Sequence, residues 1–172
     1  MGEQFAVDSR EGMLAFFVHA SEEVHRYISR LTGGDQALTE DIIQETFIAL
    51  MRHHRAGDDA VMRVGWLMTT ARHRLIDHVR ANQRDQVRIQ RHTAGEPVDE
   101  PAIDLGTISA EQARWMLAQL PLRERVALAL HTLEGMSVAE VAAALDRSVE
   151  ATTSLLARAR RRLRASMLEA AT

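Results

Sequence analysis

The chain contains no cysteine and no lysine, and only three prolines and one tyrosine among its 172 residues. Without cysteine there is no disulfide, thiolate zinc site, iron–sulfur cluster or thiol chemistry within this chain. Aromatics make up 4 %, which argues against a sandwich or barrel, because strands favour aromatic and β-branched residues. Scarce proline leaves room for long helices. No apolar run approaches the length of a membrane span, and the first residues lack a secretory pattern, so a cytoplasmic location is expected. With lysine absent, all 21 basic residues are arginine. These are forked, permanently charged donors suited to phosphate.

What is present is 46 % apolar residues, enough for a packed core. The net charge of −3 hides blocks. Residues 1–70 carry 6 Arg against 11 acids, and residues 71–92 carry 6 Arg against 2 acids. Residues 93–113 have 5 acids and no Arg, and residues 114–172 have 9 Arg against 6 acids. Each basic block has an acidic neighbour, so the overall charge masks two candidate nucleic-acid surfaces. Gly95, Pro97, Pro101 and Gly106 punctuate an acidic stretch that predicts a linker. The expected fold class is all-α, with two small helical domains at 10–85 and 109–168 joined by a linker at 86–108.

Helical periodicity is plain in the first part. Leu14, Phe17, Val24, Ile28 and Leu31 recur at helical steps and predict one buried face. Gly33 and Gly34 stop that helix, and Asp35 can cap the next. In the second helix Ile43, Phe47, Leu50 and Met51 are expected inward, with Glu40, Asp41, Gln44 and Glu45 outward. A third helix, about 65–84, has Leu67, Ala71, Leu75 and Val79 as its apolar stripe. His73, Asp77, Arg80 and Arg84 follow one another along a different side, where arginines could lie along a phosphate backbone.

The second part predicts four shorter helices. Ser109–Gln112 and Ser137–Glu140 are capping boxes. Pro121 suits the first turn of a helix that buries Val126, Leu130 and Leu133, and Gly135 ends it. A short alanine-rich helix, a turn at Asp146-Arg147 and a longer basic helix capped by Ser148 make a helix-turn-helix pattern. Val138, Val141, Ala142 and Leu145 of the short helix are expected inward. In the last helix Val149, Thr152, Leu156, Ala159 and Leu163 are expected inward, with the arginines from Arg158 onward available to phosphates.

Three stretches taken in order resemble the extracytoplasmic-function (ECF) sigma factors of bacteria. Asp41-Ile42-Ile43-Gln44-Glu45-Thr46-Phe47 resembles the family's D-x-x-Q-E-T-F run. Trp66-Leu67, Ala71-Arg72 and Ile76-Asp77 resemble the helix that follows it. Leu120-Pro121 through Arg162 resembles sigma region four, and the likeness covers about residues 12–166. It implies an RNA polymerase sigma factor that binds core polymerase, recognises promoters and helps melt them. It implies that Asp41, Gln44, Glu45 and Thr46 face the β′ clamp helices. Arg63, Trp66, Arg72, His73, Asp77, Arg80 and Arg84 would serve the minus-ten element. Arg147, Ser148, Glu150, Ala151, Thr153, Ser154, Arg158 and Arg161 would serve the minus-thirty-five element. The expected partners are core RNA polymerase through its β′ and β subunits, promoter DNA and an anti-sigma factor, the last being the only expected tether to a membrane. Where the family often shows G-T-V-K-S-R, residues 150–155 lack both lysine and arginine, so affinity there is expected to lean on Arg147 and Arg158.

Two other classes compete. A di-iron enzyme needs two Glu-x-x-His motifs and further carboxylates, and Glu22 with His25 supplies one. His53-His54 lacks partners at ligand spacing. Neither a glycine-rich phosphate loop nor a G-x-S-x-G nucleophile turn occurs. The chain is therefore expected not to be an enzyme and to need no metal or other cofactor. The alternative is a helix-turn-helix regulator that acts without being a polymerase subunit.

Overall fold

A computed structural model of the chain describes residues 10–57, 62–87 and 109–170. They form seven helices and, among the described residues, no strand. The helices are α1 (Arg10–Leu31), α2 (Gln36–Arg55), α3 (Val64–Val87), α4 (Ala110–Ala118), α5 (Leu122–Thr132), α6 (Val138–Ala144) and α7 (Val149–Ala170). The all-α class predicted from scarce aromatics and helical spacing is the one observed. The expected linker, apart from its first residues at the end of α3, lies outside the described residues.

Packing sorts the described residues into two compact units. One takes residues up to Ser29 and Gln36–Arg74, and the other takes Arg30–Asp35 and everything from Leu75 onward. The unit boundaries cut through α1 and α3 rather than falling in the linker.

In the first unit, α1 buries Phe16, Ala20, Val24 and Ile28. Val24 and Ile28 are buried as expected, as is Leu31 within the second unit, whereas Phe17 is half-buried. Leu14 is 65 % exposed, because it lies about a third of a turn round from Ala20. The buried row of α2 is Ile42, Thr46, Ala49 and Leu50, while Ile43, Phe47 and Met51 are only half-buried. Phe17 and Phe47 meet with ring centroids 5.6 Å apart. In α3 the predicted row holds: Leu67, Ala71, Leu75 and Val79 are all buried, the last two within the second unit.

In the second unit, α7 packs on α4, α5 and α6. Its core includes Leu117, Val126, Leu128, Leu130, Val141, Leu145, Leu156 and Leu163. Both predicted capping boxes form. Ser109 Oγ accepts from the Gln112 N–H at 3.1 Å, and Ser137 Oγ accepts from the Glu140 N–H at 3.2 Å. Each satisfies a helix N–H that would otherwise lack a partner. Gly135 takes φ 69°, which lets the Met136 N–H donate back to the Leu130 carbonyl at 3.1 Å and close α5. Pro121 sits one position earlier than expected, as the N-cap of α5. Leu133 is half-buried rather than inward. Glu124 is almost fully buried in α5, and its carboxylate lies 3.5 Å from Arg162 of α7.

The same unit holds the turn between α1 and α2. Arg125 of α5 reaches it, donating to the Thr32 carbonyl at 2.6 Å and lying 3.7 Å from the Asp35 carboxylate. The same guanidinium donates to the carbonyls of Ala118 at 3.2 Å and Leu120 at 3.0 Å, closing the end of α4. Burial pulls the Arg125 guanidinium below its ordinary pKa, and Asp35 opposes that pull. It remains a cation in either case.

Candidate polymerase and nucleic-acid interfaces

Three surfaces carry the candidate residues. The first is the outer face of α2. Asp41, Gln44 and Glu45 are exposed and stand on one stripe at helical steps. Thr46 does not share it. Its side chain is fully buried, and its hydroxyl donates to the Ile42 carbonyl at 2.7 Å. Thr46 therefore acts inside the bundle, and its expected place on the docking face is corrected. The position that continues the stripe is Ile48, 50 % exposed, followed by exposed Arg52 and Arg55. An open apolar depression is lined by Gln44, Phe47, Ile48, Met51, Arg52 and Arg55. Steps of three and four from Asp41 lead to Ile48, so the spacing held the signal. An isoleucine reads as core until the neighbouring helices are placed.

The second surface is α3 with the residues just before it. Arg63 is exposed, and its carbonyl accepts from the N–H groups of Trp66 and Leu67 at 3.1 and 3.2 Å. It thus opens the helix. Trp66 is half-buried, and His53 of α2 packs edge-on against it with ring centroids 5.4 Å apart. A ring held this way braces the start of α3. Most of the expected base-capturing loop, residues 58–61, lies outside the described residues. Farther along, His73 and Asp77 are exposed and Arg72 is half-buried. Arg80 is also half-buried, 3.5 Å from Asp77. The backbone of Arg84 is helical.

The third surface is the α6–α7 helix-turn-helix. The turn is sharp because Asp146 takes φ 52°, a left-handed conformation that aspartate tolerates better than most residues. Ser148 Oγ then accepts from the Ala151 N–H at 3.1 Å and caps α7. Glu150 and Thr153 are exposed, and Ala151 and Ser154 half-buried. Val149 was expected inward and is instead 48 % exposed, since the inward row begins only at Thr152. The Glu150 carboxyl is held below its ordinary pKa by its own backbone N–H and by the Ser148 hydroxyl. It is an acceptor-only group at neutral pH.

Arg147, in the turn, has its pKa lowered first by burial and then by the like charges of Arg123 and Arg158. Arg147 in the turn therefore feels the charges of Arg123 on α5 and Arg158 on α7. None of the three has an acidic partner among the described residues. The Nε atoms of Arg123 and Arg147 are buried without a hydrogen-bond partner. A cluster of this kind suits a phosphate oxygen, which takes forked donors. Arg123 was missed from sequence. Its signal was a cation in the first turn of a helix, where the dipole disfavours it. Arg161 is exposed one turn beyond Arg158.

The described residues contain no group of three or more metal-ligating side chains. None of their helices is long and apolar enough to cross a membrane.

Comparison with known proteins places both halves. Residues 16–85 match the family described as Sigma-70 region 2, and residues 111–163 match Sigma-70, region 4. The ECF RNA polymerase sigma factor SigL of Mycobacterium tuberculosis is 32 % identical over 162 residues, covering 91 % of this chain and 89 % of that protein. The ECF RNA polymerase sigma factor SigM of Bacillus subtilis is 31 % identical over 147 residues, covering 83 % and 87 %. Among solved structures, the sigma factor RpoE of Bartonella quintana, crystallised with the anti-sigma factor NepR, is 20 % identical. It covers 88 % of this chain and 93 % of its own, with a TM-score of 0.46.

Proposed function

The chain belongs to the ECF RNA polymerase sigma factors of the sigma-70 family, and we propose how its surfaces divide the work of that family. It is a promoter-recognition subunit: it binds core RNA polymerase and directs it to promoter DNA. The bond-making chemistry belongs to the polymerase. Residues 10–85 form the part that docks on the β′ clamp helices and engages the minus-ten element. Residues 109–168 form the part that reads the minus-thirty-five element and meets the β subunit. Residues 86–108 connect them.

On α2, Asp41, Gln44 and Glu45 supply the polar rim of the docking face and Ile48 its apolar centre. This matches the general anatomy of an apolar core inside a polar rim. On α3, Arg63, Arg72, His73, Asp77, Arg80 and Arg84 track the minus-ten strand, and Trp66 holds the start of the helix in place. A base taken out of the stack costs a few kcal/mol, so a braced helix beside the capturing loop lowers what the loop alone must supply. On α7, Glu150, Ala151, Thr153 and Ser154 face bases. Glu150 can accept from a cytosine amino group. Arg147, Arg158 and Arg161, with Arg123, hold phosphates. Ser148 orients the helix by capping it.

The observation that carries this reading is the helix-turn-helix with Arg123, Arg147 and Arg158 beside it and no acidic partner for them among the described residues, in a chain whose α2 presents the polar sigma stripe. The chain works in the cytoplasm, and an anti-sigma factor is its expected inhibitory partner. The test is run-off transcription with core polymerase of the source organism over a pool of its promoter fragments. Transcripts with defined starts that require this protein are expected. Tight, specific DNA binding by the free chain without any effect on polymerase would instead favour the independent regulator.

A further inference from the structure

The tip of α7 is apolar where the rest of the helix is basic. Ser148 caps the helix, its Oγ accepting from the Ala151 N–H at 3.1 Å, so Val149 is the first helical residue. Its side chain is 48 % exposed, although valine favours burial and is among the weaker helix formers. One turn on, Thr153 lies on the same stripe and is also exposed. The Thr153 hydroxyl donates to the Val149 carbonyl at 2.9 Å, which spends its one proton on the backbone. The stripe therefore offers a neighbour no donor, only methyl groups and an acceptor oxygen. Beside it stands exposed Glu150, which accepts and does not donate. Residues 148–157 contain no Arg, Lys, Asn or Gln, the side chains that take guanine or adenine by paired hydrogen bonds. The nearest arginines, Arg147 and Arg158, are those assigned to phosphate above. What the tip does carry matches the groove edges of pyrimidines, since cytosine presents an amino donor and thymine a C5 methyl group.

We propose that Val149 is a specificity-determining residue that packs on the C5 methyl of a thymine in the minus-thirty-five element. The proposal rests on the sigma reading above and adds to it one residue and one base. In a helix-turn-helix the first residues of the second helix meet base edges, so an exposed side chain at the first helical position is within reach of the groove floor. Val149 shields the thymine methyl from water and is continuous with the base-facing residues that follow it. Cytosine at the same position lacks the methyl and turns its amino group towards an apolar surface. The wrong base thus loses a contact and leaves a donor unpaired.

The test removes a single methyl group from the DNA. Holoenzyme assembled from core polymerase and the full chain is bound to a duplex carrying the minus-thirty-five element mapped by run-off. Each thymine of that element, on either strand, is replaced in turn by deoxyuridine, which pairs identically and lacks only the C5 methyl. With the wild-type chain, one position is expected to lose affinity about fourfold, the worth of one methyl group withdrawn from water. With Val149→Ala the same replacement should have no effect, because the shortened side chain no longer reaches the methyl. The helix survives this change, alanine being the better helix former. Leu168→Ala removes another exposed apolar side chain of α7, 72 % exposed, and should keep the full deoxyuridine effect. An element without thymine, or deoxyuridine tolerated at every position by the wild-type holoenzyme, overturns the proposal. So does a deoxyuridine penalty that persists in Val149→Ala, which gives the methyl contact to Ala151 or Thr153. Absence of any protein-dependent transcript sinks the sigma roles and the Val149 contact with them, whereas normal transcription with indifference to deoxyuridine sinks only the Val149 contact.

Discussion

Single side chains decide which surfaces can work. Ser137 and Glu140 satisfy each other's backbone at the start of α6, the Glu140 carboxylate accepting from the Ser137 N–H and hydroxyl, each at 2.7 Å. Both bonds hold the Glu140 pKa below its ordinary 4.5. The stabilisation from a depressed carboxylate is complete above the unfolded value and is lost as pH falls through the folded one. Thermal melts of Glu140→Gln and wild type should thus differ at pH 7, and the difference should shrink only as pH falls below 4.5 and through the depressed folded value. Ser137→Ala should cost about 1 kcal/mol near neutrality. In the arginine cluster, the charges of Arg123 and Arg158 oppose Arg147, and a phosphate relieves that repulsion. Titrating holoenzyme on promoter DNA across salt concentrations should show Arg123→Ala and Arg147→Ala each lowering the slope of log K against log salt by about 1. An unchanged slope would remove that residue from the phosphate contacts.

At the scale of elements, rotation of a helix about its axis separates its exposed face, on α2 the proposed docking face, from its core row. On α2 the buried row runs through Ile42 and Thr46, which turns Ile48 out and Thr46 in. Ile48→Glu should leave the melting temperature almost unchanged, because the side chain is half exposed already. Its affinity for core polymerase should fall about tenfold or more, the scale of an interface anchor. A pull-down that retains normal core binding by Ile48→Glu would take the apolar centre out of the docking face. The caps, the glycine stop of α5 and the inward row of α3 were legible because each depends on neighbours three or four residues away. The stripes of α1 and α2 were half legible. Leu14, Ile43, Phe47 and Met51 are apolar at plausible spacing, and only the position of adjacent helices selects one row over its neighbour.

At the scale of the whole molecule, the connection between the two sigma regions sets the reach. Beyond the end of α3 at Val87, residues 88–108 number 21, which span at most about 70 Å at ~3.3 Å each. Two helical turns of DNA need about 68 Å. Removing half of the connecting residues should leave core binding intact and abolish transcription from promoters that depend on the minus-thirty-five element. Full activity after that deletion would mean that the two parts do not engage DNA at the same time.

The sequence by itself determined the helical class, both capping boxes, the turn of the helix-turn-helix and the alternation of acidic and basic blocks. These follow from local periodicity, local hydrogen bonding and composition. The sigma motifs were likewise readable as strings of residues. Only the tertiary structure decided that Thr46 is interior and Ile48 exterior, that Arg123 joins Arg147 and Arg158, and that Arg125 reaches the α1–α2 turn. Each of these depends on residues tens of positions apart. A helix carries its own spacing in its sequence, but which of its faces is covered, and by which charge, is settled by what packs against it.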